Sequence, residues 1–152
     1  MSTIQSLQTI FLRDLNKLEA EIKLYNSEDL IWKAQTGITN SGGNLCLHLC
    51  GNLQHYIGAV LGKSDYIRNR DNEFAARNVP RESLLKEIAS AKKAIENTLP
   101  SLSEKELESD YPVDVLGFPM TTSFFLMHLS AHLGYHLGQV NYHRRLISEG
   151  SR

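Results

Sequence analysis

The sequence predicts an all-α fold, a four-helix bundle, on three observations. Apolar residues recur at steps of three and four over four long stretches, turn-forming residues separate those stretches, and no segment alternates as a strand would. The 152 residues suit one domain, and we read 1–152 as a single helical unit whose core needs no disulfide. Ile4, Leu7, Phe11, Leu15, Leu18, Ile22 and Tyr25 form the apolar face of a first helix. Residues 26–40 lose the period and read as a connection anchored by Leu30, Ile31 and Trp32. The run Thr39, Asn40, Ser41, Gly42 and Gly43 supplies turn and capping residues. A second helix is expected from about Asn44 to Leu61, with Leu45, Leu49, Leu53, Tyr56 and Val60 on its core face and Gly62 as its stop.

The polar segment 63–78 carries no predicted element, and its Arg68, Arg70, Asp71 and Glu73 read as a solvated charge cluster. A third helix begins at Pro80, tolerated in a first turn, and runs through Leu84, Leu85, Ile88, Ala91, Ala94 and Ile95 to Pro100. Residues 101–108 add a short turn of helix. Residues 111–119, with Pro112, Gly117 and Pro119, form a loop or small hairpin. Thr121 or Thr122 caps the last helix, whose core stripe is Phe125, Leu129, Leu133, Val140 and Ile147.

Seventeen acidic and sixteen basic residues leave a formal charge of −1 without blocks of like sign, so neither nucleic acid nor an acidic membrane is an expected partner. No stretch approaches the ~20 apolar residues of a membrane span, and the N-terminus lacks the basic and apolar regions of a leader. A cytoplasmic protein is expected. Cys46 and Cys50, four apart in one helix, are no disulfide framework and read as buried thiols.

The six histidines are grouped: His48 and His55 on the second helix, His128, His132, His136 and His143 on the last. At ~100° per residue, His132, His136 and His143 fall within ~40° of one another, with Gln139 beside them. His48 and His55 fall within ~20°, with Asn52 near. Histidines four apart on a helix have Cβ atoms ~5–6 Å apart and can converge on one metal ion. A third imidazole from a facing helix makes a three-ligand site with a position open. Spacing alone leaves the membership open, because His128 with His132 matches His132 with His136, and His55 competes with His48. His143 reads as a surface or supporting residue, and Asn52 and Gln139 as supporting groups. Gly134 and Gly138 lie on the opposite face, suited to a dimer contact or to close packing.

Two segments resemble the DinB-like superfamily of bacterial four-helix bundles, which includes S-transferases of the bacillithiol and mycothiol type. The stretch from Asn44 through Leu45, Cys46, Leu47, His48, Leu49, Cys50, Gly51 and Asn52 to Leu53 is similar to its helix-two histidine motif, in a branch of unknown function. The stretch from His132 through Leu133, Gly134, Tyr135, His136, Leu137 and Gly138 to Gln139 is similar to its helix-four motif, departing at Leu137, where relatives often have a basic residue. The resemblance implies His48, His132 and His136 as ligands of nickel, zinc or a similar divalent ion, and a homodimer; Asn52, His55, His128 and Gln139 are then the candidates to surround them by spacing. The resemblance does not imply one reaction; the open position of a three-ligand site together with the likeness gives one expectation, a metal-dependent thiol S-transferase or hydrolase with a small thiol or electrophile as substrate. The alternative is a non-catalytic metal-binding or stress-associated bundle. No acidic residue stands inside the His132 and His136 pair as a general base, so a neighbouring histidine is the available one.

Overall fold

The computed structural model describes residues 1–149; the last three residues of the expected 1–152 unit lie outside them. Seven α-helices follow in order: α1 Thr3–Leu24, α2 Glu28–Ile31, α3 Gly42–Leu53, α4 Arg70–Ala75, α5 Arg81–Thr98, α6 Glu104–Glu108 and α7 Thr122–Glu149. Among the described residues there is no strand, only isolated bridges joining Gln35 to Ile38 and Asp110 to Thr121. The bundle is built from α1, α3, α5 and α7. Helix α1 packs on α5 and α7, and α3 packs on the same two, so α3 and α7 are neighbours.

Three of the four long helices start at a side-chain cap, while α5 starts after Pro80 without one. Ser2 and Gln5 form a capping box at α1, the Ser41 hydroxyl accepts from the Asn44 amide at α3, and Thr121 Oγ1 accepts from the Phe124 amide at α7. The apolar stripes then face inward: Phe11, Leu15, Leu18 and Ile22 of α1 meet Leu49 and Leu53 of α3, Ile88 and Ile95 of α5, and Leu133 and Val140 of α7 in one core. Each such side chain stabilises the fold by roughly 1.5–3 kcal/mol when fully buried.

Three expectations are corrected. Gly42 and Gly43 lie inside the first turn of α3, not before it. A Cβ at Gly42 would stand 2.0 Å from Tyr25 Oη, and one at Gly43 2.7 Å from the Trp32 ring, so these glycines let two aromatic residues rest on the helix backbone. Beyond Leu53 the second helix continues as a π-helix over Gln54–Leu61, where Gly58 approaches α5 until a Cβ would meet that of Ala94 at 3.2 Å. Wider i→i+5 winding advances fewer degrees per residue, so residues beyond Gln54 depart progressively from the positions that uniform α geometry assigned them.

His143, expected as a surface or supporting residue, is 1 % exposed and so not at the surface. Its Nε2–H donates to the Lys33 carbonyl at 3.0 Å, so its Nδ1, 2.7 Å from Tyr25 Oη, accepts from the phenol. Burial holds its pKa below the usual 6.5. An unfolded chain therefore takes up a proton that the folded one resists, and stability falls as pH drops below about 6.5. The metal-free protein should show a falling melting temperature between pH 7 and pH 5.5, with a shallower slope in His143→Gln; equal slopes would remove His143 from the cause.

Candidate metal centre

The adjacency of α3 and α7 brings together three histidines. His48 is buried on α3, His132 and His136 are half-buried on α7, and one ring nitrogen from each lies within 4.8 Å of the others. His48 Nε2 and His132 Nε2 are 3.1 Å apart. Two imidazole nitrogens 2.0–2.1 Å from a tetrahedral zinc ion stand about 3.3 Å apart, so this spacing suits a shared cation.

The neighbours of each ring decide which nitrogen faces inward. His48 Nδ1 is 3.0 Å from Glu73 Oε1 and 3.4 Å from Arg68 Nη2. A carboxylate can only accept, and it is the nearer group, so Nδ1 carries the proton and Nε2 keeps its lone pair for the site. His136 Nδ1 donates to Gln139 Oε1 at 2.6 Å, which frees its Nε2 likewise. His132 Nδ1 is buried without a hydrogen-bond partner among the described residues. Burial, reinforced by His136 and His48, lowers the His132 pKa to about 4, and burial also lowers that of His136. Neutral imidazoles at physiological pH are what a metal ion requires.

Glu73 is the residue that the charge pattern of 63–78 did not reveal. It is 5 % exposed, on α4, and Arg68 donates to both its oxygens, from Nε to Oε2 at 2.8 Å and from Nη2 to Oε1 at 2.9 Å. Burial alone would raise its pKa, but the hydrogen bonds from His48 and Arg68 outweigh that and hold it low. A Cβ at Gly51 would lie 2.1 Å from Glu73 Oε2, so the glycine in the helix-two motif makes room for this carboxylate. Asn44 Nδ2 donates to the carbonyls of Glu73 and Ala76, fixing α4 on α3.

The remaining candidates separate. Gln139 touches a triad member, whereas His55 sets its ring against Tyr56, outside the triad. His128 is exposed and stacked on Phe125, in the wall of a cavity of about 190 Å³ that also includes His48, Asn52, Arg68, Arg70 and His132. On the other side, His136 and Gln139 border a groove of about 390 Å³ with Ile38, Leu45, Tyr135 and Tyr142. Cys46 and Cys50 are free and fully buried away from both. Gly134 and Gly138 are exposed and meet nothing within 4 Å, so close packing inside the chain does not explain them.

A helical bundle with three convergent imidazoles between two neighbouring helices is the class that fold and site define. A family model described as "Protein of unknown function (DUF1572)" matches residues 3–151, and the chain belongs to that family. No curated protein matches the sequence. The crystal structure of a DinB-like protein from Bacillus cereus is similar over 91% of each chain at 19% identity and a TM-score of 0.69, so the fold is DinB-like.

Glu73→Gln keeps an acceptor near His48 but turns an amide N–H toward Arg68. Divalent-metal affinity, measured by competition with a chromophoric chelator, should weaken roughly 10–100-fold. Unchanged affinity would make Glu73 a purely structural ion-pair partner.

Proposed function

We propose that this protein binds a divalent ion, nickel, zinc or a similar metal, through Nε2 of His48, His132 and His136, and uses it in a transfer or hydrolysis reaction of a small thiol or electrophile. One observation carries the reading: among the described residues only these three donors converge, and they border two cavities rather than a closed four-ligand shell. Bound there, the ion would draw a coordinated thiol or water toward its deprotonated, nucleophilic form. The residues of the chain do the rest. Glu73 and Gln139 orient two of the rings, and the cavities on either side give two reactants separate approaches. His128 is the imidazole placed to receive a proton on the Asn52 side. Glu73, with both oxygens engaged, is not free for that task.

Metal analysis tests the first half. The purified protein should carry stoichiometric divalent metal, and His48→Ala and His136→Ala should lose it; equal content in all three would remove the site. A panel of low-molecular-weight thiols and electrophiles on the metal-loaded protein tests the second half. Full metal content with silence across the panel would favour the non-catalytic binding role.

The reading places the protein in the cytoplasm, as a reducing compartment suits two free thiols; among the described residues no helix is long and apolar enough to cross a membrane. It also includes a homodimer formed through the outer face of α7. Phe124, Met127, Tyr135, Tyr142 and Leu146 are exposed there, with Gly134 and Gly138 alongside. Sedimentation velocity should give a dimer for the native chain and a monomer for Met127→Glu, and a monomeric native chain would end the proposal.

A further inference from the structure

The two cavities flanking the triad differ in charge. The groove beside His136 is lined by Ile38, Leu45, Tyr135, Tyr142 and neutral polar residues, with no acidic or basic side chain. The chamber on the other side holds two arginines and no carboxylate in its wall. Arg68 is neutralised by its two bonds to Glu73, whereas Arg70 forms no ion pair among the described residues and rests its guanidinium 5.3 Å from the Phe74 ring centre. Among the described residues the chamber therefore carries one uncompensated positive charge, on an exposed guanidinium, with apolar surface from Val115, Phe125 and Leu129 beside it.

A second observation concerns Asn52. It lines the same chamber, is 7 % exposed, and its Oδ1 has no hydrogen-bond partner among the described residues. Asn44, two turns earlier on the same helix, shows how the fold treats an amide it uses structurally: Oδ1 accepts from Ser41 and Arg77, and Nδ2 donates to two carbonyls. Oδ1 is sealed from solvent as it stands; turning the amide about its Cβ–Cγ bond would bring this bare acceptor to the chamber wall, where a bound donor relieves the penalty of leaving it unpaired.

We propose that this chamber selects a small molecule carrying an anionic oxygen group and a neighbouring N–H or O–H, with Arg70 taking the charge and Asn52 Oδ1 the hydrogen. The neutral groove beside His136 receives the uncharged reactant. The proposal rests on the metal reading in one respect, that the reactive end of the ligand meets the triad. At about 190 Å³ the chamber falls below the ~300–1,000 Å³ of drug-sized pockets, which limits the ligand to a small one.

Three thiols separate the two features: N-acetylcysteine has both the charge and the N–H, N-acetylcysteine amide lacks the charge, and 3-mercaptopropionate lacks the N–H. Titration calorimetry on the protein in its metal-loaded form should find N-acetylcysteine tightest, with the amide at least about fivefold weaker, an advantage that shrinks as salt rises. Arg70→Gln should erase the advantage of acid over amide and leave metal content unchanged. Asn52→Ala should instead erase the advantage of N-acetylcysteine over 3-mercaptopropionate. Acid and amide binding alike, or a preference that survives in Arg70→Gln, would overturn the proposal. The same titrations on metal-free protein keep the two readings apart. Neither Arg70 nor Asn52 needs the ion, so the preference for the acid should persist there at weaker overall affinity. Its persistence in a protein that never takes up metal would leave the pocket standing and remove the metal site, whereas its absence from both forms would remove the pocket.

Discussion

The carboxylate of Glu73 sits in a place where an isolated charge would be strongly unfavourable, and much of the site follows from how the chain makes that position tolerable. Burial costs a carboxylate its water, and only good hydrogen bonds from charged or polar donors replace it. Arg68 supplies two, His48 a third, and Gly51 leaves the space in which the group lies. The consequences run outward. His48 is held in one tautomer, α4 is pinned against α3, and both arginines of the chamber are delivered by the same short segment. Removing the carboxylate would leave the Arg68 guanidinium, with 9 % of its side chain exposed, as an uncompensated charge. The three groups are better regarded as one unit than as a ligand with two accessories.

That unit makes the triad unequal. With the Nδ1 proton of His48 committed to Glu73, its Nε2 has only a lone pair to offer. The 3.1 Å approach of His132 Nε2 is then favourable only if His132 holds its own proton there. His132 Nδ1 is thereby left as a bare, buried acceptor, the orphan that the hydrogen-bond pattern shows. Coordination through Nε2 requires the other tautomer, with the proton at Nδ1. The metal-free arrangement is thus a compromise among three rings that cannot all present lone pairs to one another without repulsion, and a cation at the centre removes the conflict.

Much of the fold was legible because burial in a bundle is one-faced, so a period of 3.6 residues exposes both the helices and their core residues. Phe125, Leu129, Leu133, Val140 and Ile147 are all buried as their spacing requires. The bundle order was legible as a consequence, since a shared site demanded that α3 and α7 touch. What periodicity does not carry is a change of period. The π-helix after Leu53 sets Gly58 close against Ala94 of α5, a contact between residues far apart in sequence. The segment 63–78 failed for a related reason. Its composition is that of a solvated loop, and only the three-dimensional placement of Gly51 and Asn44 makes a buried position for Glu73.

The histidines of α7 show the same division in one helix. His132, His136 and His143 share a face, and helical arithmetic treats them alike. What separates them is what stands opposite. The middle of α3 presents His48 to His132 and His136, and three imidazoles leave inward nitrogens to be filled. Farther along, the end of α1 presents Tyr25, the connection beyond α2 presents the Lys33 carbonyl, and Gly42 opens the space between them. His143 then has a donor for one nitrogen and an acceptor for the other, and nothing remains for a ligand to supply. A stripe of histidines therefore specifies where chemistry can be built. Whether it becomes a binding site depends on whether the facing residues satisfy both nitrogens of each ring or only one, and here the boundary falls between His136 and His143.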